Sequence, residues 1–296
     1  MRLTATLSKS PTPLVEIPAG SFVMGSDQHY PEEAPARQVN VSAFCIDAHT
    51  VTNADFAAFV QDSGYVTSCE HLFDATDQPY LPKEARQPGG LVFQMTPHPV
   101  RLTDPHQWWA FIPGACWRHP EGPGSSIAGR ENHPVVHASF DDALAYATWA
   151  GKSLPTEAQW EYAAARSSQP EAKSGPELNI WRGAFPYRHD RVSAHPFTVP
   201  AESAQPSFGN LSNMLGNVWE WTIDPYEPTA AKDGSCCTAT DTCAASAHAV
   251  RVLKGGSYLC ADSYCRRYRP SARISMPQNE SAGHIGFRCV VNLAQT

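Results

Sequence analysis

Proline and glycine constrain the fold of this 296-residue chain more than any other feature. The sequence contains 26 Pro and 19 Gly, roughly 15% of the chain against an average near 12%. Pro removes a backbone donor and Gly costs conformational entropy in a helix or strand, so their excess favours ordered but irregular structure. The 8 Trp, 10 Tyr and 12 Phe residues supply enough apolar bulk for a core around such structure.

Three segments are predicted as helices. Each follows a polar residue: ADFAAFV after Thr52 or Asn53, DDALAYATWAG after Ser139, and EAQWEYAAAR after Thr156. Asp142 and Gln159 stand three residues after the second and third of these caps, which is the spacing of a capping box.

The remaining pattern predicts short strands separated by loops. Residues 14–47 alternate apolar and polar positions, and Val250–Leu253 and Gly286–Val291 are predicted as buried strands. Residues 72–129 show no period and are predicted as one long ordered loop. Residues 167–175 are small, polar and without a pattern, so local mobility is predicted there, and 227–249 is predicted as an excursion from the core.

Charge and hydropathy exclude several classes of function. The net charge is -7 and the sequence has no Lys/Arg block, which argues against nucleic-acid binding through phosphate neutralisation. No stretch approaches the roughly 20 apolar residues needed to cross a bilayer. The first residues lack the apolar region of a secretory signal, so we expect a soluble protein that is not exported and has no membrane partner.

Nine cysteines are an odd number, so at least one thiol stays unpaired within the molecule. Two of them, Cys260 and Cys265, form a C-x4-C pattern inside GGSYLCADSYCRRYRPSAR. On spacing alone this pair is compatible with a disulfide, with a soft metal site or with two core thiols. A thiol-disulfide oxidoreductase is a weaker alternative, because that class usually carries C-x2-C.

The cysteine segment stands among further motifs. They are IPAGSFVMGS (17–26), EAPAR (33–37), VTNADFAAFV (51–60), WRHPEGP (117–123), HPVVHASFDDALAYATWAGKSLPTEAQWEYAAA (133–165), NIWRG (179–183), MLGNVWEWT (214–222) and GHIGFRC (283–289). In this order they resemble the formylglycine-generating enzyme family, also called sulfatase-modifying factors. WRHPEGP and the paired cysteines resemble its catalytic branch.

The resemblance implies an α+β fold of the irregular, C-type-lectin-like kind. It implies an N-terminal extension over residues 1–13 and a single domain over 14–296. The implied reaction uses O2 to oxidise a cysteine to Cα-formylglycine, within a Cys-x-Pro-x-Arg motif of an unfolded or nascent sulfatase. Nothing such as a heptad repeat calls for an oligomer, so we expect a monomer.

The resemblance also implies Cu(I) bound by Cys260 and Cys265. Soft thiolates select Cu(I) over harder ions, and two ligands leave a position open for a substrate thiolate. Ser257 matches a serine that lines the site where oxygen acts, and Trp219 matches a tryptophan beside it; a turn hydroxyl and a core indole are the structural alternatives. Tyr264 and Arg266 flank the second cysteine as candidate substrate contacts. Ala261 replaces a position that is often histidine in the family.

Calcium is the second cofactor implied by the resemblance. Ca2+ prefers oxygen ligands from carboxylates, amides and backbone carbonyls. The implied ligands are side chains of Asn213 and Glu220 with carbonyls of Gly216 and Val218 at one site, and Asn179, Ile180 and Asp190 at a second.

The other cysteines bear on the cellular compartment. Family members made in oxidising compartments carry cysteines at the positions of Ala147 and Ala164, so Cys289 lacks its family partner here. This favours a reducing cytoplasm. Buried inert thiols are expected for three cysteines in or beside apolar runs, namely Cys45, Cys69 and Cys116. The pairing of Cys236, Cys237 and Cys243 stays open.

Two relatives of the domain offer rival functions. Iron-dependent sulfoxide synthases add a helical domain with three histidines, whereas His133 and His137 here stand in a turn and strand pattern. Non-catalytic peptide-binding or regulatory modules have lost the cysteine pair, which this chain retains. Asp74 is a candidate to meet the arginine of the substrate motif, with a solvated loop carboxylate as the alternative.

Overall fold

The three predicted helices are confirmed, together with their caps. They are α1 (Asn53–Ser63), α2 (Phe140–Trp149) and α3 (Glu157–Ser167). The Thr52 side chain accepts from the Asp55 amide at the start of α1, and the Asp55 carboxylate accepts in return from the Thr52 amide. The same reciprocal bonds join Ser139 with Asp142, and Thr156 with Gln159.

A computed structural model describes residues 10–72, 86–167, 178–190, 197–203, 210–228 and 249–293. Within those ranges the strands are short. They are β1 (Leu14–Ile17), β2 (Gly20–Met24), β3 (Arg37–Val41), β4 (Phe44–Asp47), β5 (Gly89–Phe93), β6 (Trp109–Pro113), β7 (Trp219–Pro225), β8 (Val250–Lys254), β9 (Arg273–Pro277), β10 (Ile285–Gly286) and β11 (Val290–Asn292).

The strands pair into two larger sheets and two hairpins. One sheet has the order β1-β4-β11, the other β10-β7-β8-β9, and β2-β3 and β5-β6 form the hairpins. Every pair is antiparallel except β10 with β7. Short strands joined by long connections give the irregular α+β architecture that the Pro and Gly content predicts.

Two strand predictions need correction. Gly286–Val291 is not one strand, because β10 pairs with β7 while β11 pairs with β4, and the chain crosses between sheets at 287–289. Residues 72–129 are not one continuous loop, because Gly89–Phe93 and Trp109–Pro113 form the β5-β6 hairpin. The segments LVF and WAFIP are too short and too uniformly apolar to show a period of two.

The first described residues pack against the rest of the chain. Ser10 and Thr12, in the predicted N-terminal extension, are buried, and Thr12 Oγ1 donates to the Asp55 carboxylate at 3.3 Å. The division of the chain at residue 13 stays a prediction.

Among the helices in the described ranges, none combines the length and apolar character needed to span a membrane.

The cysteine segment lies between two apolar clusters. Cys260 belongs to a cluster built on Phe56, Tyr146 and Phe287. Its neighbours Leu259 and Ala261 belong to a second cluster, which contains Trp108, Trp181 and Phe185. Because adjacent residues are buried on opposite sides, the backbone of the segment is fixed from both directions.

Candidate functional site

The cysteine segment begins at two glycines that follow β8. Gly255 has φ 97° and Gly256 has φ 77°, a region that favours glycine. A Cβ on Gly256 would lie 2.6 Å from the Arg267 carbonyl oxygen. The second glycine therefore lets residue 256 approach the backbone of residue 267, which brings the segment back on itself.

The two cysteines of the segment are in contact. Their Sγ atoms lie 3.4 Å apart, which is well beyond the S–S bond length of about 2.05 Å, so they are free thiols. The Cys260 amide donates to the Ser257 carbonyl at 3.0 Å, and the Cys265 amide donates to the Ala261 carbonyl at 2.9 Å. These two turns of backbone position the sulfur atoms side by side.

The two thiols differ electrostatically. The pKa of Cys265 falls to about 7, through a hydrogen bond from Cys260 and through the charge and N–H groups of Arg267, against a rise caused by burial. Burial and the neighbouring Cys265 raise the pKa of Cys260 well above its ordinary value. The pair can therefore keep one proton on Cys260, and the Cys260 thiol then donates a hydrogen bond to the Cys265 thiolate.

Arg267 lies beside this pair and is itself buried. Its Nη1 is 3.9 Å from Cys265 Sγ. Its Nε and Nη2 both donate to Oε1 of Glu32, at 2.9 and 2.6 Å. The guanidinium also lies 3.8 Å from the ring centroid of Tyr30.

Ser257 and Trp219 lie in the wall around Cys260. The Ser257 amide points at Cys260 Sγ from 3.4 Å, while its hydroxyl accepts from the Leu259 amide at 3.2 Å. The serine hydroxyl is thus a turn hydroxyl in this structure. Trp219 is the first residue of β7, is buried, and belongs to the same apolar cluster as Cys260.

Tyr264 and Arg266 lie at the rim beside Cys265. The Tyr264 ring stacks on Phe185 with centroids 4.6 Å apart and an interplanar angle of 1°. It also makes an edge contact with Trp108 at 5.4 Å. Arg266 is exposed and faces Asp262 across 3.5 Å. A packed aromatic ring and an exposed cation therefore flank the partly buried Cys265 along the chain.

The segment of the first predicted calcium site is buried, and its carboxylate, that of Glu220, forms an ion pair with Arg288 in the core. Glu220 accepts from Trp160 Nε1 at 2.7 Å and from Arg288 at 2.7 and 2.9 Å. Three of about four acceptor positions of the carboxylate are therefore used. Asn213 donates its amide to the Ala201 carbonyl at 2.9 Å, which leaves its side-chain oxygen as an acceptor.

The second predicted calcium segment meets the first. The Asn217 amide donates to the Asn179 carbonyl at 2.8 Å, and Asn179 Nδ2 donates to Asn217 Oδ1 at 3.1 Å. Ile180 is buried beside them. Asp190 is exposed and pairs with Arg188 at 3.2 Å. In the described ranges, no three His, Cys, Asp or Glu side chains converge on a common point.

The other cysteines are separate from the site. Burial of Cys69 and Cys116 is confirmed, whereas Cys45 is only half-buried. Cys289 is fully buried in the same cluster as Ala147, and its amide donates to Asp47 at 2.8 Å. None of the six cysteines in the described ranges forms a disulfide. Cys236, Cys237, Cys243 and Asp74 lie outside those ranges.

The histidines of the rival iron-site hypothesis have separate partners. His133 Nδ1 lies 3.0 Å from the Thr198 hydroxyl, and His137 Nε2 lies 2.8 Å from the Pro120 carbonyl. The predicted absence of a helix there is confirmed.

Sequence reasoning missed Arg267, Glu32 and Tyr30. A signal was present: the run RRYR places three cations directly after the second cysteine, and Glu32 stands immediately before Glu33, the first residue of EAPAR. Since buried charges need partners, these two charged runs were candidates to meet.

Comparison with known proteins agrees with the geometry. The model of the sulfatase-modifying factor enzyme 1-like domain matches residues 3–293. The formylglycine-generating enzyme of Mycobacterium tuberculosis is 46% identical, over 95% of this chain and 98% of that protein. The inactive C-alpha-formylglycine-generating enzyme 2 of Mus musculus is 34% identical, over 93% and 84%.

A solved structure supports the fold. PvdO from Pseudomonas aeruginosa matches with a TM-score of 0.58 and 22% identity, over 95% of this chain and 94% of that one. At this identity the likeness concerns the fold alone. The prediction of an irregular α+β fold of the C-type-lectin-like kind is confirmed.

Proposed function

The chain belongs to the sulfatase-modifying factor enzyme family, and we propose that it converts a cysteine of a sulfatase polypeptide to Cα-formylglycine. The observation that carries the proposal is the contact between Cys260 Sγ and Cys265 Sγ at 3.4 Å. We place the target cysteine in a Cys-x-Pro-x-Arg motif of an unfolded or nascent sulfatase.

The oxidant in this proposal is O2, and a thiol supplies further electrons. Oxidation of the cysteine side chain to a thioaldehyde releases two electrons and two protons. Hydrolysis then exchanges sulfur for oxygen, which gives the aldehyde and hydrogen sulfide. Reduction of O2 to water takes four electrons and four protons, so two electrons come from oxidation of two small-molecule thiols to a disulfide.

Cu(I) fits the donor set of the thiol pair. Two soft sulfur donors in contact, of which Cys265 is only partly buried, are the kind of ligand that Cu(I) prefers. Cys260 and Cys265 would hold the ion, and the substrate thiol would approach from the rim. Bound Cu(I) supplies the one-electron chemistry that the reaction of O2 with a closed-shell thiol requires.

The protein's own groups prepare the site for this chemistry. An apolar cluster buries Cys260 and excludes water from its sulfur, while a second cluster holds the neighbouring Leu259 and Ala261. The Ser257 amide, aimed at that sulfur, stabilises its negative charge when the thiol is deprotonated. The partly exposed Tyr264 ring, stacked on the buried Phe185, is the surface against which a peptide would lie. Arg266 is exposed at the rim, where the same peptide can contact it.

Calcium is proposed for the segment 213–220, supported by the oxygen donors present. The Asn213 side-chain oxygen and one remaining acceptor position on Glu220 are suitable for a hard cation. We derive no catalytic step from calcium. Asn179, Ile180 and Asp190 stay a proposed second site.

The function is tested with purified protein, one equivalent of Cu(I), O2, a reducing thiol and a Cys-x-Pro-x-Arg peptide. Mass spectrometry after aldehyde-specific tagging should detect formylglycine. A peptide with Ala in place of the cysteine and a Cys260→Ala enzyme are the matched controls. Absence of aldehyde with the wild type, or equal product with Cys260→Ala, would contradict the proposal.

A non-catalytic peptide-binding or regulatory module is the second candidate. The similarity to an inactive relative favours it, whereas the contacting thiols favour the enzyme. Binding of the peptide without any tagged aldehyde would support the module.

A further inference from the structure

We infer that Arg267, anchored by Tyr30 and Glu32, is a positioning residue for Cys265 in the metal-binding pair. The inference rests on the function proposed above, because it concerns how the same two thiols hold Cu(I). It assigns a role in the site to a segment that lies more than 200 positions earlier in the sequence.

Glu32 and Tyr30 restrict the position of the Arg267 guanidinium in two directions. Two of its nitrogens donate to one oxygen of Glu32 at 2.9 and 2.6 Å, which fixes the plane of the guanidinium. The Tyr30 ring lies against its face, 3.8 Å from the central carbon. With both restraints in place the remaining nitrogen, Nη1, is aimed at Cys265 Sγ from 3.9 Å.

The chemistry of the site requires a cation at this place. Cu(I) with two thiolates carries a net charge of -1, and a third thiolate from the substrate makes it -2. A negative charge taken out of water is costly unless a positive group accompanies it. Arg267 presents such a group to the sulfur, and its rigid fork fixes where that group lies.

A neighbouring arginine supplies the matched control. Arg269 also pairs with the same short segment, through Glu33, and its guanidinium lies 5.7 Å from the Tyr30 ring. The Ser271 hydroxyl donates to Glu33 at 2.7 Å. Arg269 thus shares the structural role of joining the two segments, but the structure gives it no contact with Cys265 among the described residues.

The experiment measures Cu(I) affinity rather than turnover. Wild type, Arg267→Gln, Arg267→Lys and Arg269→Gln proteins compete with the chromophoric chelator bathocuproine disulfonate under anaerobic conditions. We expect Arg267→Gln to lose about 10-fold or more in affinity, as outer-shell changes commonly do. Arg269→Gln should stay within about 2-fold of wild type.

Arg267→Lys separates charge from geometry and covers the case in which the glutamine variant fails to fold. It keeps the positive charge but not the fork, so its affinity should lie between wild type and Arg267→Gln. The inference is wrong if both Arg267→Lys and Arg267→Gln bind Cu(I) with wild-type affinity, or if Arg269→Gln loses as much affinity as Arg267→Gln. Either result leaves the proposed function intact. Absence of Cu(I) binding by the wild type overturns the proposed function, and the inference with it.

Discussion

Two buried arginines, Arg288 and Arg267, each pair with a glutamate but use their remaining N–H groups differently. In the core, Arg288 donates to Glu220 at 2.7 and 2.9 Å, and its other N–H groups donate to backbone carbonyls, among them Ala48 and Ser212. At the cysteine segment, Arg267 donates to Glu32 and keeps one nitrogen near Cys265.

The difference separates a pair that joins elements of the core from a pair that we propose to act on the cysteines. Arg288 joins α3, β7 and the backbone after β4 through Glu220, Trp160 and the carbonyls, so its donors are used within the protein. Arg267 directs one donor toward a reactive sulfur. We therefore expect changes around Arg288 to affect folding, and changes around Arg267 and its cysteines to affect chemistry.

The largest expected effect is on chemistry. Cys265→Ala should lower the rate of aldehyde formation by about 10³-fold or more, because it removes one member of a functional unit. The protein should remain folded, since Cys265 is only partly buried. The rate is measured by tagging the peptide aldehyde under Cu(I) and O2.

Cys289→Ala is the control for this prediction. Cys289 is fully buried in an apolar cluster away from the paired thiols, and its backbone amide donates to the Asp47 carboxylate. We expect wild-type turnover and a loss of about 1 kcal/mol in the free energy of unfolding. Equal loss of turnover in both variants would remove the distinction between paired and isolated thiols.

The next effect is on stability. Arg288→Met should lower the free energy of unfolding by about 3–5 kcal/mol, because it leaves the Glu220 carboxylate buried without its cation. Urea denaturation at neutral pH measures the loss. Arg267→Gln should cost only about 1–2 kcal/mol, because water reaches part of Glu32. A larger loss for Arg267→Gln than for Arg288→Met would reverse the proposed assignment.

The loss of stability in acid should show whether a buried histidine or the carboxylates of the ion pairs titrate first. Burial lowers the pKa of His137 to about 4, from its ordinary value of 6.5 in the unfolded chain. The unfolded chain takes up the proton first, so stability is full above pH 6.5. It then falls by about 1.4 kcal/mol per pH unit as the pH drops from 6.5 to 4.

Denaturation of wild type and His137→Gln between pH 7 and 4.5 measures this slope. The glutamine amide can still donate to the Pro120 carbonyl that His137 contacts, and it does not titrate. The variant should therefore show the shallower pH dependence. Parallel slopes would assign the acid sensitivity to carboxylates, including those of the two ion pairs.

The smallest effect concerns calcium. Removal of calcium with a chelator should lower the free energy of unfolding by about 1–3 kcal/mol relative to saturating calcium. The proposed calcium site uses Glu220 and does not include Glu32, which holds Arg267 beside Cys265. Cu(I) affinity should therefore not change. Stability that is independent of calcium would contradict the proposed site at 213–220.

The sequence predicts the capped helices well, whereas the role of the cysteine pair stays a prediction. Capped helices are readable because Thr52, Ser139 and Thr156 each stand three residues before their partner in the capping box. The spacing of Cys260 and Cys265 alone leaves a disulfide, a metal site and two core thiols open, and only the resemblance of the surrounding motifs to a known family indicates a metal-binding pair. Their contact at 3.4 Å agrees with that interpretation.

Long-range partners could not be predicted in the same way. Glu32 and Arg267 are 235 positions apart, and no periodic pattern links two charged runs at that separation. The break of the last strand at 287–289 arises from a change of sheet, which is a property of the tertiary structure. Local propensity carries no information on either feature.

The most direct test is a titration of copper-free protein with Cu(I), with aldehyde formation on a Cys-x-Pro-x-Arg peptide measured at each step under O2. The account predicts that the rate rises linearly to one equivalent of Cu(I) per chain and then stays constant, and that Cys260→Ala shows no rise. Full activity of the copper-free protein, or no aldehyde at one equivalent, would contradict it.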